Sequence, residues 1–242
     1  MFKRLIGGVS RRLDRPELLA AVNRDAARDL GDERAMAAVL AATLRSDSVF
    51  VDVGTNRGQV LAEAVRLAPD GAHVAFEPIA GLAIELSERF PAVDCRNVAV
   101  AAEPGRASFC HFRKLDGWSG LQRRTSIDDA QGDPDMIEVD VVTLDGALAN
   151  SDPEVIKIDV EGAERDMLLG ARRLIERARP TVIFEHELES AALFGARPEE
   201  IWEYFADLRY RVFSIAGDGP VARAAFGTPG RTINWLATPA TR

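Results

Sequence analysis

Residues 48–58 read Ser-Val-Phe-Val-Asp-Val-Gly-Thr-Asn-Arg-Gly, an almost continuous apolar run that stops at a glycine turn. Val60, Leu61, Ala64, Val65 and Ala68 then keep helical spacing until Pro69-Asp70-Gly71 ends it. A short apolar run without polar alternation is what a parallel strand covered on both faces requires, because neither face meets water. The segment therefore predicts a strand, a tight turn and a helix in direct succession.

The same unit recurs downstream. Strands are expected over 73–76, 95–100, 154–158 and 181–185, and helices over 80–89, 163–177 and 198–208, with closing strands at 210–216 and 232–237. Repeated β-α-β units imply an α/β fold with a parallel sheet and right-handed crossovers. A chain of 242 residues suits one substantial core. The expected organisation is an N-terminal helical segment over 1–46, alanine-rich and broken at Gly31-Asp32, followed by an α/β domain over 47–242. Between about 105 and 144 the pattern changes to two alternating, half-exposed strands around Gly117-Trp118-Ser119-Gly120, an insertion placed to cover a ligand.

Charge and composition exclude some functions. With 38 acidic against 30 basic residues and a net charge of −8, the chain is a poor match for a nucleic-acid backbone. The expected partner is a small-molecule substrate. The apolar stretch near Met1 is too short and glycine-broken to insert stably in a membrane or serve as a signal core, so a cytoplasmic protein is expected. Cys95 and Cys110 cannot build a disulfide framework, which agrees with a reducing compartment.

The turn Asp52-Val53-Gly54-Thr55-Asn56-Arg57-Gly58 lies where an open α/β sheet binds its ligand, with glycines that let backbone approach closely and a helix N-terminus that offers free N–H groups. Nicotinamide enzymes carry G-x-G-x-x-G here. An aspartate two residues before the first glycine would repel a pyrophosphate but attract the ammonium and sulfonium of S-adenosylmethionine. Glu77, ending the second predicted strand before Pro78, is placed to accept hydrogen bonds from ribose hydroxyls. Asn97, Val98 and Ala99 end the third, where adenine is expected, although Asn97 also suits a strand cap.

These pieces resemble the FkbM family of methyltransferases. The matching segments are VDVGTNRG (51–58), VAFEP (74–78), NVAV (97–100), VTLD (142–145), IKIDVEGAE (156–164), LLGA (168–171) and RPTVIFEHE (179–187). The resemblance implies a Rossmann-like class I methyltransferase sheet, mostly parallel with an antiparallel final strand and helices on both faces. It also implies S-adenosylmethionine as donor and methylation of hydroxyl groups, often on sugars or polyketide-derived products. Asp52, Gly54, Thr55, Asn56, Gly58, Glu77, Pro78, Asn97, Val98 and Ala99 are then the expected donor-binding residues, with Ser119 of the insertion reaching the donor's carboxylate.

Methyl transfer to a hydroxyl needs the oxygen in line with the methyl and its proton removed by a base or by a metal-lowered pKa. Asp159, Glu185 and His186 end neighbouring strands and are the candidate catalytic residues, His186 being the best-placed base; Asp159 also suits a helix cap. Lys157, unusual in an apolar central strand, predicts a structural ion pair with a neighbouring carboxylate. Such acids can hold Mg²⁺ and also suffice without it; the sequence itself indicates no metal. Two rival functions remain in view. A nicotinamide-dependent oxidoreductase of the short-chain type would need Tyr-x-x-x-Lys, but Tyr204 and Tyr210 are followed by Leu208 and Ser214. A non-catalytic nucleotide-binding protein could keep the fold without the chemistry.

Overall fold

A computed structural model describes residues 31–113, 116–123, 133–228 and 232–240. Residues 31–43 form helix α1, followed by β1 (Phe50–Val53), α2 (Gln59–Leu67), β2 (Val74–Phe76), α3 (Ala80–Arg89) and β3 (Asp94–Arg96). Next come β4 (Ala99–Val100), β5 (Gly105–His111), β6 (Asp135–Val142), α4 (Leu144–Ala147), β7 (Val155–Ile158), α5 (Glu164–Leu169), α6 (Arg172–Ala178) and β8 (Thr181–Glu185). The described elements end with α7 (Leu188–Leu193), α8 (Pro198–Asp207), β9 (Tyr210–Ser214) and β10 (Asn234–Pro239).

Seven strands make the main sheet in the order β3-β2-β1-β7-β8-β10-β9. Strands β3 to β8 of this sheet are parallel, and β10 runs antiparallel to both β8 and β9. The order reverses between β1 and β7, and that reversal opens a crevice at the carboxyl ends of these strands. The expected α/β, Rossmann-like architecture with one antiparallel final strand is the architecture found.

Strand alternation divides the core into two layers. Val51, Ile156, Ile158, Val182 and Phe184 pack with Met167, Leu174 and Phe205 on one face. Phe50, Val155 and Ile183 pack with Leu40, Leu61 and Leu86 on the other. Burying a side chain such as Phe50 or Ile156 completely contributes about 1.5–3 kcal/mol each. Leu40 and Leu44 join the same cluster as Phe50, so the described part of the N-terminal segment packs onto the α/β core. Gly31 and Asp32, where a break is expected, are helical; residues 18–30 lie outside the described residues.

Three expectations are corrected. The strand expected over 95–100 is two, β3 in the main sheet and β4 in a separate sheet ordered β4-β6-β5, which contains the predicted hairpin of the insertion. The change of sheet occurs at Asn97, whose amide donates to the carbonyls of Glu77 and Pro78. The helix expected over 163–177 is also two. A Cβ on Gly170 would stand 2.2 Å from the Ala101 carbonyl oxygen, so the chain passes tightly there. The Asp145 carboxylate then accepts from the N–H groups of Arg173 and Leu174, restarting the helix. Helices α4 and α7 are additional, α4 being capped by the Thr143 hydroxyl, which accepts from the Gly146 N–H. Among the described residues, no helix is long and apolar enough to cross a membrane.

Candidate active site

The crevice between β1, β2 and β7 is a cleft partly open to solvent, lined by residues of the glycine turn, the ends of β2 and β7, and the insertion. Its entry turn is built by protein packing as much as by any ligand. Gly54 has φ +75°, and a Cβ there would sit 1.8 Å from the backbone oxygen of Asp159. Gly58 has φ +73° and faces Leu86 and Phe90, where a Cβ would come within 2.7 Å of Leu86 Cδ2. Both need glycine, but Gly58 does not line the cleft and supports it from behind, whereas Gly54 lines it. Thr55 is likewise structural: its hydroxyl donates to the Asp52 carbonyl at 3.1 Å.

Glu77 forms the polar end. It is 4% exposed, and its two carboxylate oxygens accept from the backbone N–H groups of Asn56 (2.8 Å) and Ile79 (2.9 Å). Burial pushes its pKa up to about 7, against those two bonds, which favour the charged form. The carboxylate is thus aimed rigidly, with lone pairs left for a diol. Beside it, Ile79, Val98, Ala99, Val100, Phe109 and Leu121 make an apolar slot suited to a flat base. Pro78 and Ser119 also line the cleft, and Ser119 Oγ accepts from the Phe112 N–H at 3.0 Å. The expected donor residues Gly54, Asn56, Glu77, Pro78, Val98, Ala99 and Ser119 are brought together here.

Asp52 is placed differently. It is 1% exposed and outside the lining, so it does not reach a ligand ammonium directly. In the register of β1 and β7 it pairs with Lys157, whose Nζ lies 3.5 Å from Asp52 Oδ1, 3.4 Å from Asp159 Oδ2 and 3.0 Å from the Gly54 carbonyl oxygen. Burial works against the ammonium, but the fields of Asp159 and Asp52 outweigh it and raise the Lys157 pKa. The expected structural ion pair of Lys157 is present, and Asp52 acts through it. Asn97, spent on the Glu77 and Pro78 carbonyls, is a strand cap outside the lining.

Of the candidate catalytic groups, Asp159 lines the cleft, together with Glu161, whose backbone adopts a left-handed φ of 56°. Glu185 reaches toward both: one carboxylate oxygen from each of the three residues lies within 4.8 Å of the others. His186 is corrected. Alternation along β8 puts Glu185 and His186 on opposite faces. The imidazole is fully buried, stacked on Phe226 at 5.5 Å, with Nδ1 3.6 Å from Glu164 Oε2. It lies outside the cleft lining and cannot touch an acceptor there. Of the other histidines, His73 is structural, its Nδ1 accepting from the Phe50 N–H and its Nε2 meeting the Ala68 carbonyl, and His111 contacts Asp116 at 3.3 Å.

Sequence reasoning missed Phe109, Asp116 and Leu121 as cleft residues. Phe109 carries a signal, being an inward position of an alternating strand; Asp116, in a single 3-10 turn, and Leu121, in irregular chain, have no periodicity that points to them.

The family model described as the methyltransferase FkbM domain matches residues 52–212. Among solved structures, the chain is similar to a methyltransferase FkbM from Methylobacillus flagellatus KT, at 16% identity with a TM-score of 0.51. The match covers 81% of this chain and 44% of that one, so the chain spans less than half the length of this relative. A precorrin-6y C5,15-methyltransferase from Geobacter metallireducens GS-15 matches at 14% identity and a TM-score of 0.46, over 84% of this chain and 87% of that one. No protein of curated function matches the chain by sequence.

Proposed function

Because the chain belongs to the FkbM methyltransferase family, we propose that it transfers a methyl group from S-adenosylmethionine to a hydroxyl of a sugar, glycan or secondary metabolite. The observation that carries this reading is the composition of one cleft: a buried diol acceptor at Glu77, an apolar slot for a base, and carboxylates at the far strand ends. The residues fit the donor. Glu77 would hold the ribose, Val98, Ala99 and Phe109 the adenine, and Gly54, Asn56 and Ser119 the amino-acid end.

The donor supplies a sulfonium-bound methyl with a good leaving group. The protein's part is to orient the acceptor and manage one proton. Asp159 is the proposed base: its carboxylate faces the cleft and Lys157 holds it in place. A new O–CH₃ bond forms as the C–S bond breaks, and the hydroxyl proton passes to Asp159. Glu161 and Glu185, adjacent to Asp159, accept hydrogen bonds from further acceptor hydroxyls, a chemistry that suits a polyol. Cys95 and Cys110 are both free thiols, which supports a reducing, cytoplasmic setting.

Calorimetry with S-adenosylhomocysteine, S-adenosylmethionine and NAD tests the donor, and transfer of a labelled methyl to a panel of glycans and hydroxylated metabolites tests the acceptor. Binding of the two adenosyl ligands but not NAD, with label recovered as an alkali-stable methyl ether, is the expected result. Binding of NAD alone, or label recovered only on nitrogen or carbon, would overturn it.

A further inference from the structure

One charged contact joins two walls of the cleft and has no part in the chemistry above. Arg57, in the glycine turn after β1, places Nη2 2.6 Å from Asp116 Oδ2. Asp116 opens the short 3-10 turn Asp116–Trp118 beyond β5 and lines the cleft with Gly117, Ser119 and Leu121. The two segments meet closely, since a Cβ on Gly117 would lie 3.3 Å from Asn56 Nδ2. Each end of the contact is anchored. The Arg57 carbonyl accepts from Arg89 Nη1 at 3.0 Å, and Asp116 Oδ1 stands 3.3 Å from His111 Nε2 at the end of β5. The Asp116 side chain is 13% exposed and that of Arg57 58%, so the pair sits at the rim, shielded on the acid's side and open to salt on the other.

We propose that Arg57 and Asp116 form a clamp that fastens the Asp116–Leu121 wall to the glycine turn and thereby sets the residence time of the bound adenosyl ligand. Both are positioning residues, and the inference rests on the donor reading above. Separating the two walls requires breaking this ion pair, so its energy enters the barrier to ligand departure more than the encounter. Partly shielded pairs exceed fully exposed ones, and the upper end of the exposed range corresponds to about a fivefold change in rate.

The test measures dissociation of tritiated S-adenosylhomocysteine, displaced by excess unlabelled compound, from the full chain and from Arg57→Gln and Asp116→Asn. Both variants are expected to release ligand about fivefold faster at low salt, with association within about twofold of wild type and a ligand-free unfolding temperature lowered by no more than about 4 °C. At about 1 M salt the wild-type rate should approach that of the variants, because the Debye length falls to about 3 Å. If wild type binds and Arg57→Gln releases at the wild-type rate, or remains just as much faster at high salt, the clamp is overturned and the donor reading stands. If wild type binds no S-adenosylhomocysteine, the donor reading fails and the clamp with it.

Discussion

The ammonium of Lys157 stands 3.4 Å from the carboxylate of Asp159, two residues further on and just beyond the end of β7. Its other contacts reach Asp52 on β1 and the carbonyl of Gly54 in the turn that follows. One buried cation therefore ties the glycine turn to the strand end that carries the proposed base. No described group hydrogen-bonds either oxygen of Asp52, which makes Lys157 its main compensation.

Removing Lys157 should accordingly cost more than an ordinary charge. Lys157→Met is expected to lower unfolding stability by about 3–5 kcal/mol, because Asp52 is left buried without a counter-ion. The double variant Asp52→Asn, Lys157→Met should recover much of that loss. Urea denaturation of the two variants checks it, and equal instability of single and double variants would argue against the pairing.

Glu77 should make donor binding depend on protons. With its pKa pushed up to about 7 by burial, the ligand-free carboxyl is largely protonated at pH 6, whereas ribose hydroxyls need the charged acceptor. Affinity for S-adenosylhomocysteine should fall as pH drops below about 7, with proton release on binding seen calorimetrically in buffers of different ionisation enthalpy. Glu77→Gln should bind weakly and lose this dependence. For stability the sign is opposite. The folded pKa lies above the usual 4.5, so the folded state holds the proton more tightly, and this contribution is full below about 4.5 and lost as pH rises through about 7. The Gln variant should show a flatter stability profile across that window.

The two glycines of the turn should fail in different ways. Gly54→Ala forces a Cβ against the fixed backbone oxygen of Asp159 and is expected to prevent stable folding. Gly58→Ala meets the movable ends of Leu86 and Phe90 and an unfavourable φ, so a loss of about 1–3 kcal/mol is expected, with donor affinity of the folded fraction kept. Thermal unfolding with and without S-adenosylhomocysteine separates the two.

Asp159 and His186 should part company in kinetics. Asp159→Asn is expected to lower kcat by about two to four orders of magnitude while S-adenosylhomocysteine affinity changes little. His186→Gln should lower stability, because it disturbs the stack on Phe226 and the contact with Glu164, yet keep turnover within about tenfold. Steady-state rates on an identified acceptor decide between them. A full loss of turnover in folded His186→Gln would return the base to that residue.

Much of the molecule follows from local pattern. Continuous apolar runs such as Phe50–Val53 and Val155–Ile158 can be buried on both faces only in a parallel sheet, and the turn residues between them fix where the ligand cleft must open. The proximity of Glu77 to the glycine turn was equally legible, since both end adjacent strands. Even the separation of Glu185 from His186 is implicit in the two-residue period, although convergence at a strand end obscures it. Tertiary structure decided the rest. Whether Asp52 meets a ligand or Lys157 depends on the register of β1 against β7, and a one-residue slip would turn Asp52 to the other face. Gly54 and Gly170 are demanded by backbone oxygens of Asp159 and Ala101, contacts between segments far apart in sequence. Asp116 enters the cleft because Arg57 reaches it across 59 positions of chain, and no periodicity in either segment encodes that meeting. Period and turn chemistry act within a few residues, whereas register, close approach and ion pairing are settled only when distant surfaces pack.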